Sequence, residues 1–416
     1  MATRGPEGLV LQRDGHRSEA GGRIRPTLFD IGAVAYLRSE AGAQALREVG
    51  RYRLAGASLV SDIASVRTQF GDRAPVLVET VQLRRRATAK FADPSSWLFT
   101  DEALQQATAA PVAAHRARRL TGARVHDATC SIGSELAALR ASAADLVGSD
   151  IDPVRLAMAA NNLDGGRVVP LCRADALRPI TGDAVVILDP ARRQGGRRRF
   201  DPRAFTPALD ALFDVYRDRD IVVKCAPGID FDALARMGFD GEIEVTSLAG
   251  GVREACLWSA GLAGAGVRRR ATLLDRGEQI TDADPDDCPV APAGRWIVDP
   301  DGAVVRAGLV RHYAARHGLW QLDPDIAYLS GDELPAGLRG FEVLEQLSYH
   351  ERRLRTALAA RDVGAVEILI RGVDVDPDVL RPRLRLRGSQ QLTVVITRLG
   401  SGAQSRATAF ICRPSR

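Results

Sequence analysis

The sequence predicts an α/β architecture: a parallel sheet flanked by helices, with a helical segment before it and a small α/β module after it. Three observations carry this. Short apolar runs ending in an acid, at Val125-His126-Asp127, Val147-Gly148-Ser149-Asp150 and Leu188-Asp189, are each followed by helix-like sequence. That βα alternation belongs to a doubly wound sheet and sets the acids along its C-terminal edge, where ligands bind. Between residues 27 and 119, apolar side chains recur at helical spacing, as in Leu46, Val49 and Leu54, then Leu59, Ile63 and Val66. Toward the C-terminus, strand and helix patterns alternate again over a much shorter stretch.

Taken in order, residues 1–26 are Gly- and Arg-rich without an apolar core, which predicts a disordered tail rather than a secretory signal. A helical domain is expected over 27–119, where Thr100 caps a helix beginning at Asp101-Glu102 that leads into the first strand. A sheet domain is expected over 120–262. Its later strands are Ala184–Leu188, Asp220–Lys224, Glu242–Leu248 and Val252–Ser259, the last two forming an edge hairpin through Ala249-Gly250-Gly251. Residues 263–416 hold a connecting segment, with short strands over Ala271–Gly277 and Gly294–Val298 and one helix over Val304–Gly318, and then the module. The module reads as strand Phe341–Leu347, helix His350–Ala360, strand Ala365–Ile370, helix Asp376–Leu384 and strands Leu392–Arg398 and Thr408–Arg413.

The segment Asp127-Ala128-Thr129-Cys130-Ser131-Ile132-Gly133-Ser134-Glu135 resembles the first motif of class I methyltransferases, and the match extends through Asp150, Asn161 and Asp189-Pro190. With Arg86-Ala87-Thr88-Ala89-Lys90-Phe91 before this region, and Phe341-Glu342-Val343-Leu344-Glu345 and Ile370-Arg371-Gly372 after it, the chain resembles bacterial class I methyltransferases that carry a THUMP-like C-terminal domain. The resemblance covers nearly everything after about residue 28. It implies a Rossmann-like domain using S-adenosylmethionine, whose amino-acid end, ribose and adenine are met in turn along the sheet edge. The tight turn Asp127–Gly133, including Cys130, Ser131 and Ile132, brings backbone to the cofactor. Asp150, with Ile151 beside it, is placed for the ribose diol, Asp175 with Ala176 for the adenine amino group, and Asp189 for the reacting centre. Ser131 and Ser134 stand where the family pattern has Gly, which implies either a looser hold on the cofactor or negative φ values in that loop.

The composition agrees with an enzyme of two or three domains. Of 416 residues 45% are hydrophobic, enough for more than one core, and no apolar run is long enough to span a bilayer. Six scattered cysteines without a Cys-x-x-Cys pair indicate neither a disulfide framework nor a zinc site, so a reducing cytoplasm and no metal are expected. A monomer is favoured. The net charge is +5, and among 57 basic residues only Lys90 and Lys224 are lysines. The arginines cluster at 84–86, at 116, 118 and 119, at 192–193 and 197–199, at 268–270, at 352, 353 and 355, and at 381, 383, 385 and 387. Guanidinium groups grip phosphates and stack on bases, so RNA, either rRNA or tRNA, is the expected partner.

Methyl transfer from a sulfonium asks the protein chiefly for positioning and deprotonation. Asp189 can accept an amine proton beside Pro190, and Arg192 stands where amine methyltransferases of nucleic acids have an aromatic ring, so it could stack or hold a phosphate. Lys224 could bind substrate phosphate or lower the thiol pKa of Cys225. The Asp-Pro-x-Arg pattern also resembles uracil-5 methyltransferases, in which a Cys after a later strand is the nucleophile, and Cys225 holds the corresponding place. A small-molecule or protein methyltransferase, and an RNA-binding protein with an inactive methyltransferase fold, are the other readings the sequence leaves open.

Overall fold

The structure, a computed structural model, describes residues 28–192, 205–400 and 402–415. The helical segment holds α1 (Ile31–Arg38), α2 (Glu40–Val49), α3 (Leu59–Phe70), α4 (Ala74–Ala87), α5 (Asp101–Gln106) and α6 (Ala110–Arg119). Local chemistry sets its starts: Asp30 accepts the Ala33 amide, Ser39 that of Gly42 and Thr100 that of Ala103. Leu54, expected on the helical stripe, lies outside any helix with φ +51° and is buried instead at a turn. Thr100 does cap α5, but α6, with Pro111 in its first turn, intervenes before the sheet. The helical core continues into the next domain, where Ile132 and Met158 join Leu77, Leu83, Leu98 and Phe99.

The large sheet is built from β1 (Arg124–Asp127), β2 (Asp145–Asp150), β3 (Leu171–Arg173), β4 (Val185–Leu188), β7 (Ile221–Cys225), β8 (Glu242–Leu248), β9 (Gly251–Trp258), β10 (Arg269–Leu273) and β11 (Glu278–Thr281), while β5 (Ala191–Arg192) and β6 (Phe205–Thr206) form a separate ribbon. Its order is β11-β10-β8-β9-β7-β4-β1-β2-β3. Strands β3, β2, β1, β4 and β7 run parallel, and β9 lies antiparallel between β7 and β8. The chain winds outward from β1 in both directions, so the switch point falls between β1 and β4, between the ends that carry Asp127 and Leu188. Helices α7 (Ser134–Leu139), α8 (Pro153–Asn162), α9 (Leu209–Val215) and α10 (Phe231–Arg236) cover the faces. Gly148 has no room for a side chain, since a Cβ there would stand 2.5 Å from Leu136 and 2.8 Å from Leu171.

The β8–β9 hairpin turns at Ala249-Gly250, as its sequence indicates, but it is not the sheet edge. β10 adds parallel to β8, and β11 antiparallel beyond it. The strand expected to reach Gly277 stops at Leu273, where a 3-10 turn leads to Gly277 at φ +61°. The single helix expected over 304–318 is two, α11 (Gly302–Ala307) and α12 (Val310–His317), separated by Gly308 at φ +77°. These helices share a core with both sheets: Val245, Ala271, Leu273 and Ile280 on one side, Val298 and Leu329 on the other.

The second sheet has seven strands: β12 (Trp296–Val298), β13 (Trp320–Asp323), β14 (Ile326–Gly331), β15 (Gly340–Ser348), β16 (Val363–Arg371), β17 (Gln390–Leu399) and β18 (Arg406–Pro414), ordered β13-β14-β12-β15-β18-β17-β16. Helices α13 (Glu351–Ala359) and α14 (Pro377–Arg383) pack on one face through Leu354, Leu358 and Leu380. The expected strand and helix alternation of the module is present, whereas β13 and β14 were not legible as strands.

Candidate active site

Two cavities meet at the C-terminal edge of the large sheet. The first, about 590 Å³, is lined by the turn after β1, the ends of β2 and β4 and the segment after β3. Its shape rests on backbone bonds that the sequence pattern requires. Cys130 donates its amide to Ser149 O, Gly133 donates to Cys130 O, and Gly133 adopts φ +80° on entering α7. Ser131 has φ +49°, so the substitution from Gly has not converted this position to negative φ. The left-handed geometry is retained, and the Ser131 amide is held at 2.8 Å by Asp150 Oδ2.

Asp150 also accepts the Asp152 amide through Oδ1 at 2.9 Å. A carboxylate has about four lone-pair sites, so these two bonds fix its plane and leave acceptor capacity over. Beside it Ile151 is 62% exposed, an apolar side chain lining the cavity where a flat ring could rest. Asp175 turns the chain after β3 by accepting the Leu177 amide, and Ala176 is buried, with its carbonyl held by the Tyr216 hydroxyl. Cys130 and Ile132 are core residues, and burial, with Asp127 and Asp150 nearby, keeps the Cys130 thiol protonated. Among the described residues, four carboxylates, Glu135, Asp150, Asp175 and Asp189, with the carboxyl group of Asp127, line this cavity against two cations, Arg155 and Lys224. A ligand bearing an ammonium and a sulfonium suits that excess of negative charge.

The second cavity, about 700 Å³, adjoins the first and shares Asp189, Lys224 and Gln106 with it. Pro190, Cys225, Lys90 and Arg253 also face it. Lys224 is committed to the two carboxylates beside it, Asp189 at 2.6 Å and Glu135 at 3.6 Å. Behind it Arg116 donates Nε to Glu135 at 2.8 Å and Nη1 to Glu254 at 2.5 Å. Burial opposes the charges of Arg116, Lys224 and Glu135, yet the network holds them. Glu135 and Glu254 keep Arg116 well above its ordinary pKa, Asp189 and Glu135 do the same for Lys224, and Arg116 and Lys224 hold Glu135 below the usual value. Asp127, only 3% exposed, has no cation bonded to it among the described residues; burial first and then the Glu135 charge push it up to about 8, although Lys224 pulls the other way.

The arginines at 116 and 119, read from sequence as candidates for nucleic acid, are unavailable for it. Arg116 is 1% exposed within the network above, and Arg119 is bound to Glu242 and Glu244 over the Trp258 ring. In the 84–86 run, Arg86 pairs with Asp101. Arg270 pairs with Glu242. The Arg192 side chain, and Arg193 with Arg197–Arg199, lie outside the described residues. Asn161 donates to Ser96 O, but it is the buried neighbour Asn162 that ties the domains, bonding both the amide and carbonyl of Leu98 and the carbonyl of Ile132. Glu135, Arg116 and Glu254 were not singled out in the sequence as site residues. Their signal is Glu242-Ile243-Glu244 and Glu254 inside strands too apolar to be solvated, where buried acids demand cations from elsewhere.

The C-terminal part also reaches the site. Arg306 of α11 donates Nε to Pro227 O at 2.5 Å and Nη2 to Ile229 O, clamping the loop after β7, whose Ala226 and Pro227, with Cys225 at the strand end, wall the second cavity.

An uncharacterized S-adenosylmethionine-dependent methyltransferase of Mycobacterium tuberculosis strain H37Rv, and its counterpart in strain CDC 1551, are 69% identical to this chain over 358 residues, covering 84% of it and their own full length. The chain belongs to the S-adenosylmethionine-dependent methyltransferases. Within this methyltransferase the THUMP domain-like family matches residues 338–414, and a domain of unknown function, DUF8688, matches 30–87. A crystal structure from Porphyromonas gingivalis W83, assigned as a methyltransferase, superposes on 93% of the chain and all of its own with a TM-score of 0.72 at 18% identity, which places the fold. The methyltransferase is thus a mixed α/β enzyme whose cofactor is S-adenosylmethionine, preceded by helices and followed by a THUMP-like domain. Among the described residues no helix is long and apolar enough to cross a membrane.

Proposed function

We propose that this methyltransferase modifies a nucleotide of rRNA or tRNA in the cytoplasm. The observation that carries the reading is the junction of the two cavities at Asp189, in a chain that also bears a THUMP-like domain with exposed arginines. In that domain Arg352, Arg353, Arg355, Arg385 and Arg387 have no side-chain hydrogen bond or ion pair to other described residues, which leaves their donors for phosphates.

In this reading the first cavity takes the cofactor, which supplies an electrophilic methyl group when bound. Asp150, its plane fixed by Ser131 and Asp152, accepts the ribose hydroxyls, Ile151 packs against the adenine, and Asp175 with Ala176 borders it. The turn Asp127–Gly133, with Cys130, Ser131 and Ile132, brings backbone to the amino-acid end. In the second cavity Asp189 and the Pro190 carbonyl orient an exocyclic amine or ring nitrogen, and Asp189 receives its proton. Lys224 fixes the Asp189 carboxylate in place, and Arg192 stands at the rim.

The test is transfer of labelled methyl groups to RNA from a strain lacking the enzyme. Asp189→Ala should lower the rate by roughly 100-fold or more through loss of positioning and proton acceptance, while Cys225→Ala keeps most of it. Inactivity of Cys225→Ala, with a covalent adduct on fluoropyrimidine RNA, would establish the uracil-5 route instead. Transfer to protein or small molecules but never to RNA would overturn the reading.

A further inference from the structure

The helical domain carries a groove of about 530 Å³ whose charged lining is entirely basic: Arg38 of α1, Arg47 of α2, and Arg84 and Arg85 of α4. Among the described residues no carboxylate lines it, and Ser96 and Asn161 complete its floor on the side of the large sheet. Two of the guanidinium groups are built in. Arg84 donates to the carbonyls of Trp97 and Ser96, and Arg85 to those of Arg53, Gly50 and Tyr52. Carbonyl partners fix a guanidinium without cancelling its charge, and each group keeps donors unused. Burial lowers Arg84 to about 10, which leaves it protonated at neutral pH. Arg38 and Arg47 are exposed and have no side-chain hydrogen bond or ion pair among the described residues. Two rigid and two adaptable cations around one concavity whose lining holds no carboxylate among the described residues form an anion cradle.

The groove also lies near the chemistry. Arg85 is five residues from Lys90, which faces the second cavity, and Asn161 lies six residues along α8 from Arg155, which lines the first, about 9 Å at helical rise. We infer that this groove of the N-terminal domain binds the phosphate backbone of the RNA beside the nucleotide held in the second cavity. The inference rests on the RNA reading above. It adds a docking surface in the helical domain, separate from the THUMP-like domain.

The test uses the full chain, a labelled RNA that the enzyme methylates, and the double variant Arg38→Gln/Arg47→Gln. Both residues are exposed, so an unchanged circular dichroism spectrum and unchanged cofactor affinity should establish that the variant folds. The log–log salt slope of RNA binding should fall by about 0.7–0.9 for each phosphate the groove no longer neutralises, and the KM for RNA should rise about tenfold with kcat nearly unchanged. Wild-type RNA binding with the same slope and KM in the variant would overturn the groove alone. Wild-type protein that shows no salt-dependent RNA binding would overturn the RNA reading, and the groove's role with it. A polyglutamate peptide displacing the RNA at equal charge concentration would also overturn the inference, assigning the groove to an acidic protein.

Discussion

Two sets of arginines that look alike in the sequence occupy opposite environments. Arg116 and Arg119 of α6 are sealed against Glu135 of α7 and Glu242, Glu244 and Glu254 of the large sheet, whereas Arg352, Arg353 and Arg355 of α13 stand without acidic partners among the described residues, on the second sheet's helical face. An arginine run therefore acquires its meaning from what its neighbours in space lack. In α6 the sheet and α7 supply the missing anions, so charge is committed to structure. In α13 nothing does, so charge remains for a partner.

The buried set is the one whose removal should be felt most. Arg116→Ala takes from Glu254 its bonded cation and leaves buried Glu135 with Lys224 alone, and should cost about 3–5 kcal/mol in denaturant unfolding, against within about 0.5 kcal/mol for Arg353→Ala. Equal losses for the two would erase the distinction.

Asp150 tests the cofactor cavity, where an acid is fixed by backbone rather than by a cation. Asp150→Ala should weaken calorimetric binding of S-adenosylmethionine by roughly 1.5–3 kcal/mol per charged hydrogen bond removed, with the fold intact. Unchanged affinity would remove Asp150 from the site.

Asp127 extends the contrast into the site itself, because unlike Glu135 it is buried without a bonded cation among the described residues. Its folded pKa of about 8 lies above the ordinary unfolded value, so its protonated form favours folding. That stability is fully present at low pH and is lost as the pH rises toward 8, with a slope of at most about 1.4 kcal/mol per pH unit, and no further loss above. Unfolding measured between pH 5 and 9 should show this slope in the wild type and its disappearance in Asp127→Asn. A slope that persists in the variant would assign it to other groups.

The exposed set should respond most weakly. Removing Arg352 or Arg353 should reduce the salt slope of RNA binding by about 0.7–0.9 each and leave unfolding unchanged. A full wild-type slope in those variants would make the α13 face merely solvated.

Much of the fold was legible because it is local. The strand ends at Asp127, Asp150 and Leu188 announce themselves by apolar runs that stop at acids, and the hairpin by Ala249-Gly250-Gly251. The layer of charge behind the site was not, because its pairs are remote in sequence: Arg116 and Glu254 are 138 positions apart. β13 and β14 leave little trace in the pattern, since Trp320–Asp323 and Ile326–Gly331 are short and separated by two residues without a glycine turn. Ser131 shows a further limit, for its left-handed φ comes with an amide bond to Asp150, 19 positions away, that its own residue type does not announce.

The core shared by α11, α12 and the two sheets has a consequence for synthesis. Val245, Ala271, Leu273 and Ile280 are synthesised, and leave the ribosome, ahead of Tyr313, Leu319 and Leu329, which cover the same core. The methyltransferase sheet is therefore expected to wait, with one apolar flank open, for some fifty further residues at roughly 5–20 residues per second. A nascent chain arrested near residue 281 should be cut readily by protease and held by chaperones, whereas one arrested past residue 331 with its exit-tunnel segment cleared should resist.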